Sequence, residues 1–134
     1  MHPAEDRNIS ILLVDDVYAT RRILKRLLKK IGYTNCEDVE SGEEAIEKIE
    51  TGNYQLVVCD YNLQDMDGVD ILRIVKSDDS LKNIPFLMIS ADPSIEQIHE
   101  SRKLGICHYL MKPFDSQRLL EKMKMAFDEQ AAAQ

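Results

Sequence analysis

Four short apolar runs organise this chain, and each closes on a particular kind of polar residue. Ile11-Leu12-Leu13-Val14 leads into Asp15-Asp16, Leu56-Val57-Val58-Cys59 into Asp60, Phe86-Leu87-Met88-Ile89 into Ser90, and Tyr109-Leu110-Met111 into Lys112-Pro113. Such a run without polar alternation fits a strand buried on both faces, the kind found in parallel sheets. In an open parallel sheet all carboxyl ends lie along one edge, and ligands bind in the crevice outside it. The four runs therefore deliver three carboxylates, a hydroxyl and an ammonium to one place. That inventory suits a divalent metal and a phosphoryl group.

Helical patterns fill the intervals. Ile23, Leu24, Leu27, Leu28 and Ile31 recur at helical spacing, and Gly32 follows as a C-terminal stop. A short strand is expected around Asn35 to Val39. Ser41-Gly42-Glu43-Glu44 has the Ser-x-x-Glu form of a capping box, opening a helix with Ala45, Ile46 and Ile49 inward. Val69, Leu72 and Val75 mark a third helix. Pro85 opens the next strand, and Asp92-Pro93 reads as an N-cap with proline in the first turn of a fourth helix ending at Gly105. A last helix from near Asp115 carries Leu119, Met123 and Phe127, and residues 130–134 are expected to fray. Five strands alternating with five helices predict an α/β fold: a five-stranded parallel sheet with helices on both faces.

The 134 residues suit one domain with a sizeable core. No stretch approaches the roughly 18–20 apolar residues of a membrane span, and residues 1–7 lack the apolar segment of a signal peptide. The net charge of −7 argues against nucleic-acid binding. Cys36, Cys59 and Cys107 match no zinc spacing and read as buried reduced thiols. His2, His99 and His108 show no ligand spacing either.

Each polar residue at a run's end carries a functional and a structural reading. Asp15, Asp16 and Asp60 in one crevice repel; at ~4 Å and an effective dielectric of ~20 each pair costs about 4 kcal/mol. A divalent cation removes that cost, and Mg²⁺, which takes one or two carboxylates and phosphate oxygens, suits it best. The structural reading is that the aspartates cap the first helix. Asp60 is a candidate nucleophile toward phosphorus or another helix cap, while Asp67-Gly68 reads as a turn. Ser90 and Lys112 mean little singly; the joint order Asp-Asp, Asp, Ser, Lys-Pro carries the weight.

With those residues assembled, the chain resembles a CheY-like receiver domain of two-component response regulators, over about Ile9 to Phe127. The resemblance, and not spacing, implies the flavodoxin-like strand order 2-1-3-4-5, for which the chemotaxis regulator is itself a standing example. It implies an N-terminal extension over 1–8, a receiver domain over 9–128 and a tail over 129–134. It makes Asp15 and Asp16 the Mg²⁺-holding pair (Mn²⁺ being a possible substitute), Asp60 the phospho-acceptor and further metal ligand, and the backbone carbonyl of Asn62 another. Ser90 is the switch hydroxyl, Lys112 the phosphoryl-pairing lysine, and Tyr109 the aromatic that turns inward as Ser90 moves. Asn62 and Asp92 match positions that tune phosphoryl lifetime. Ile95, Ile98, Tyr109 and Lys122 fall on the expected partner surface.

Three departures stand out: Gln64 replaces a frequent proline and leaves its loop less rigid, Ser90 replaces the commoner threonine, and Leu104-Gly105-Ile106 replaces Ala-Gly-Ala. The resemblance implies a stand-alone, cytoplasmic, monomeric signalling switch that promotes its own phosphorylation and dephosphorylation and is not a turnover enzyme. Its donor is a histidine kinase or histidine phosphotransfer protein, its target a protein such as the flagellar motor switch, with neither nucleic acid nor membrane insertion involved. A phosphorelay carrier or phosphate sink has the same site. A haloacid-dehalogenase-like phosphatase would need a second aspartate where Asn62 stands, and no nucleotide-binding glycine motif is present. Arg21, Arg22, Lys25, Arg26, Lys29 and Lys30 in the first helix form either a solvated face or a dock for an acidic donor.

Overall fold

In the computed structural model, which describes residues 2–106 and 108–133, the elements alternate as strand and helix. They are β1 (Ile11–Val14), α1 (Tyr18–Lys30), β2 (Cys36–Val39), α2 (Gly42–Thr51), β3 (Leu56–Asp60), α3 (Gly68–Ser77), β4 (Phe86–Ser90), α4 (Ile95–Lys103), β5 (Tyr109–Met111) and α5 (Ser116–Ala133). All strand pairs are parallel, in the order β2-β1-β3-β4-β5. The expected doubly wound fold and its strand order are both present.

The uninterrupted apolar runs are explained by burial on two sides. Leu12, Val14, Val57, Cys59, Phe86 and Met88 face α2 and α3, packing with Ala45, Ile49, Val69 and Leu72. Their neighbours Ile11, Leu13, Leu56, Val58, Leu87 and Ile89 face α1 and α5, packing with Leu24, Leu28, Leu119 and Met123. Each such side chain contributes roughly 1.5–3 kcal/mol on burial. β2, at the sheet edge, buries only Val39 and so lacks an apolar run. Gly32 and Gly105 close α1 and α4 with φ of +101° and +92°, values costly for any residue with a Cβ.

Several expectations are corrected. α4 is capped by Ser94, not Asp92: Ser94 Oγ accepts the Gln97 N–H and Gln97 Oε1 accepts the Ser94 N–H, both at 3.1 Å. This reciprocal box satisfies two N–H groups at once. Residues 130–133, expected to fray, continue α5, which runs to Ala133 with Gln130 buried. Gln130 accepts from Lys76 Nζ at 3.0 Å and donates to Asn83 at 3.3 Å. Residues 2–7 pack on the domain. Pro3–Glu5 forms a 3-10 turn that buries Ala4, Arg7 lies 4.6 Å over the Tyr33 ring, and His2 bonds Asp128 at 2.8 Å. On α1, Ile23 is 51% exposed while Arg21 is buried, so the inner face runs through 21, 24 and 28. Cys59 is buried, Cys36 only half-buried, and Cys107 lies outside the described residues.

Gln130→Ala removes one partner each from Lys76 and Asn83 and is expected to cost about 1 kcal/mol in urea unfolding. The exposed Ala132→Ser on the same helix should stay within about 0.5 kcal/mol of the parent.

Candidate functional site

The strand ends bring Asp15, Asp60, Ser90 and Lys112 together. Asp15 follows β1, its N–H extending the ladder to Val39 O at 3.2 Å. Its side chain is fully buried; Oδ1 accepts the Val17 N–H at 2.8 Å, a turn that opens α1, and Oδ2 lies 3.5 Å from Lys112 Nζ. Asp60 closes β3. Its Oδ1 accepts the Asn62 N–H at 3.0 Å and its Oδ2 accepts from Lys112 Nζ at 2.6 Å. Lys112 is carried in just beyond β5, where its N–H bonds Ser90 O at 3.0 Å, and its peptide bond to Pro113 is cis. Ser90 Oγ is buried and has no hydrogen-bond partner among the described residues. Asp16 is half-buried beside Asp15, while Asn62 and Asp92 are exposed.

The electrostatics follow from two carboxylates sharing one ammonium in a poorly hydrated crevice. Burial pushes the Asp15 carboxyl up from 3.8 to about 6; the Val17 N–H and Lys112 oppose the rise and Asp60 adds to it. For Lys112, burial alone would lower the pKa, but its bond to Asp60 and the charges of Asp60 and Asp15 hold it above the usual lysine value. The crevice thus keeps an excess of negative charge. Among the described residues no three His, Cys, Asp or Glu side chains form a ready metal cage. A hard cation that takes one or two carboxylates and fills its shell with water and phosphate oxygens is the kind that fits this donor set.

The loop after Asp60 is tied down at both ends. Gly68 N–H bonds Tyr61 O at 2.6 Å, and a Cβ at Gly68 would lie 2.8 Å from the Asp60 carbonyl oxygen and from Met88 Sδ. The glycine read as a turn residue is therefore there for close approach. Asp67, read as a turn residue, begins α3 as its N-cap, with its N–H on Asp70 Oδ2 at 3.0 Å. Asp65 accepts the N–H groups of Gly42 and Glu43 at 2.9 and 3.0 Å, anchoring the loop to the start of α2 although Gln64 replaces proline.

Sequence reasoning missed Arg21, which it placed on a basic face that was either solvated or a dock for an acidic donor. Arg21 is buried; Nη1 donates to Asp15 O and Nε to Asp38 Oδ2, each at 2.8 Å, and Lys25 Nζ meets Asp38 at 2.5 Å. The guanidinium thus holds the backbone of the acidic pair against β2. The available signal was its spacing: Arg21 stands at i−3 and i−7 from Leu24 and Leu28.

The partner-surface residues separate. Ile95 is 86% exposed, whereas Ile98 packs against the core and Lys122 is half-buried. Tyr109 is buried, so its ring does not lie on the surface; its hydroxyl donates to Gln97 O at 3.1 Å and pairs with Ser101 Oγ. The registers Met88↔Tyr109 and Ser90↔Met111 place Tyr109 and Ser90 two residues apart on one sheet face.

The response regulator receiver domain model matches residues 11–124. The chain belongs to that family. It is 39% identical over 120 residues to the chemotaxis protein CheY of Pseudomonas aeruginosa, covering 90% of this chain and 97% of that protein. It is 37% identical over 123 residues to chemotaxis protein CheY-3 of Vibrio cholerae, covering 92% and 95%. A CheY-like receiver domain protein from Methanospirillum hungatei superposes with a TM-score of 0.82 at 31% identity, covering 95% of this chain and 99% of that one. The receiver domain is thus a member of a signalling family whose similar relatives include chemotaxis response regulators. Among the described residues, no helix is long and apolar enough to cross a membrane.

The raised Asp15 pKa has a definite sign in stability. Between 3.8 and about 6 the folded protein keeps a proton that the unfolded chain releases, so stability falls as pH rises through that window. At 1.36 kcal/mol per unit the penalty near neutrality is about 3 kcal/mol. In Mg²⁺-free buffer Asp15→Asn should therefore be more stable than the parent by about 2–3 kcal/mol near pH 7. Urea unfolding across the pH range should show the gain disappearing below about pH 4.

Proposed function

We propose that Asp60 accepts a phosphoryl group from a phosphohistidine on a histidine kinase or histidine phosphotransfer protein. The observation that carries this reading is the bond from half-buried Lys112 to buried Asp60 at 2.6 Å beside a buried Ser90 hydroxyl with no partner among the described residues. An Asp60 carboxylate oxygen forms the bond to phosphorus as the phosphorus–nitrogen bond of the donor breaks and the imidazole leaves. Lys112 neutralises the phosphoryl oxygens, and Ser90 donates its hydroxyl to one of them. Asn62 N–H, already on Asp60 Oδ1, orients the acceptor. Asp15, Asp16 and Asp60, with the Asn62 carbonyl, would hold Mg²⁺ (or Mn²⁺ in its place), which when bound supplies positive charge to the carboxylates and to the transferring group. Asp92, exposed two residues beyond Ser90, and Asn62 stand where they can influence hydrolysis of the acyl phosphate.

On this reading the domain is a phospho-accepting switch that promotes its own phosphorylation and dephosphorylation. Its similarity to chemotaxis proteins supports a cytoplasmic role in chemotaxis, with the face of α4, β5 and α5 around exposed Ile95 offered to a protein target such as the flagellar motor switch. A phosphorelay carrier or phosphate sink would use the same residues.

Incubation with Mg²⁺ and acetyl phosphate should add the mass of one phosphoryl group, and Asp60→Asn should abolish the adduct. A full-strength adduct in that variant, or none in the parent at saturating Mg²⁺, refutes the assignment. The basic groove of α1 lined by Arg22, Lys25, Arg26 and Lys29 is the proposed dock for an acidic donor. Because Lys25 is engaged by Asp38, Arg22→Glu with Arg26→Glu is the cleaner probe. This pair should slow transfer from the cognate phosphohistidine protein about tenfold or more, by lost electrostatic steering. Labelling by acetyl phosphate should be unchanged.

A further inference from the structure

Tyr109 is bound to α4 through partners that lie outside the acidic site. Its hydroxyl donates to Gln97 O at 3.1 Å. A phenol has one proton, so the contact with Ser101 Oγ is a donation from Ser101 to the phenol oxygen. Ser101 is 0% exposed, a hydroxyl placed inside the molecule one turn beyond the core-facing Ile98. A serine within a helix ordinarily returns its hydroxyl to the carbonyl four residues back, which here is that of Gln97. In this fold both groups serve Tyr109 instead. α4 therefore presents one acceptor and one donor to a single phenol, satisfying it inside the core, where an unpaired hydroxyl would be costly.

We infer that Ser101 is a positioning residue that anchors Tyr109 in its inward place through α4, so that the ring's position has a source independent of Ser90 and Asp60. This rests on the reading of Tyr109 as the switch aromatic. Its consequence is regulatory: the α4–β5 face is set with Tyr109 inside and Ile95 outside, and phosphorylation of Asp60 moves the tyrosine less than it would in a chain lacking the serine. Removing the hydroxyl takes away one of two bonds that favour the inward place, while Gln97 O still satisfies the phenol. The inward-to-outward ratio should fall about fivefold for one lost hydrogen bond.

The test is NMR of the full chain labelled with ring-¹³C tyrosine, the Tyr109 signal being assigned by its loss in Tyr109→Phe. In the unmodified protein, Ser101→Ala should shift the Tyr109 signal toward a solvent-exposed position. Ser101→Thr, which keeps the donor, should leave it near the parent. After Mg²⁺ and acetyl phosphate, with the adduct verified by mass, the signal should move several times farther in Ser101→Ala than in the parent. Coincident Tyr109 signals in the unmodified parent and Ser101→Ala overturn the inference, and so does a parent signal that moves on phosphorylation as far as that of Ser101→Ala. Failure of any adduct to form counts against the phosphoryl reading alone, because the comparison of unmodified proteins still decides whether Ser101 anchors the ring.

Discussion

Two buried carboxylates share one ammonium at the carboxyl edge of the sheet. Asp60 takes Lys112 at 2.6 Å and Asp15 has it at 3.5 Å, with both carboxylates buried at the strand ends. The arrangement holds two carboxylates against one ammonium, and burial, with the Asp60 charge adding to it, raises the Asp15 pKa. A site held in this condition favours whatever brings positive charge to the carboxylates or gives Lys112 a larger anion to pair with. The fold pays for that with ordinary core packing on both faces of the sheet.

The surrounding structure reads as the means of keeping that crevice in shape. Arg21 grips the Asp15 carbonyl from below, using Asp38 of the edge strand as its counter-charge. Asp65 pins the loop after Asp60 to α2, and Gly68 lets the first turn of α3 approach β3 to a distance no side chain would allow. None of these residues belongs to the cluster of Asp15, Asp60, Ser90 and Lys112 itself. Each fixes the backbone that carries a residue which does, so the geometry at the strand ends is set by three unrelated interactions: a buried guanidinium, a helix cap and a close backbone contact.

Much of this was legible in the sequence. The apolar runs located four of the five strands, because a strand buried on both faces has no polar alternation to disguise it. β2 was harder to see because an edge strand buries little, and only Val39 signals it. The contacts of the terminal segments were missed for a related reason. Ala-rich residues 131–133 look like a frayed end, and the first eight residues carry no pattern that points to the core. Yet Gln130 finds Lys76 and Asn83 more than forty residues away, and Ala4 enters the core beside Tyr33. Such contacts join distant positions and leave no local pattern.

By itself the sequence determined the alternation of elements and the kinds of chemical group that end each strand, because those depend on local periodicity and on residue identity. Only the tertiary structure decided which groups meet. It turned Asp60 and Asp15 onto one lysine, took Arg21 from a supposed solvated face into the interior, and set Tyr109 inside rather than on the surface. The physical reason is that an ammonium, a guanidinium and a phenol can each be satisfied by water or by protein. Which of the two prevails depends on what the rest of the chain brings within about 3 Å, the reach of a hydrogen bond.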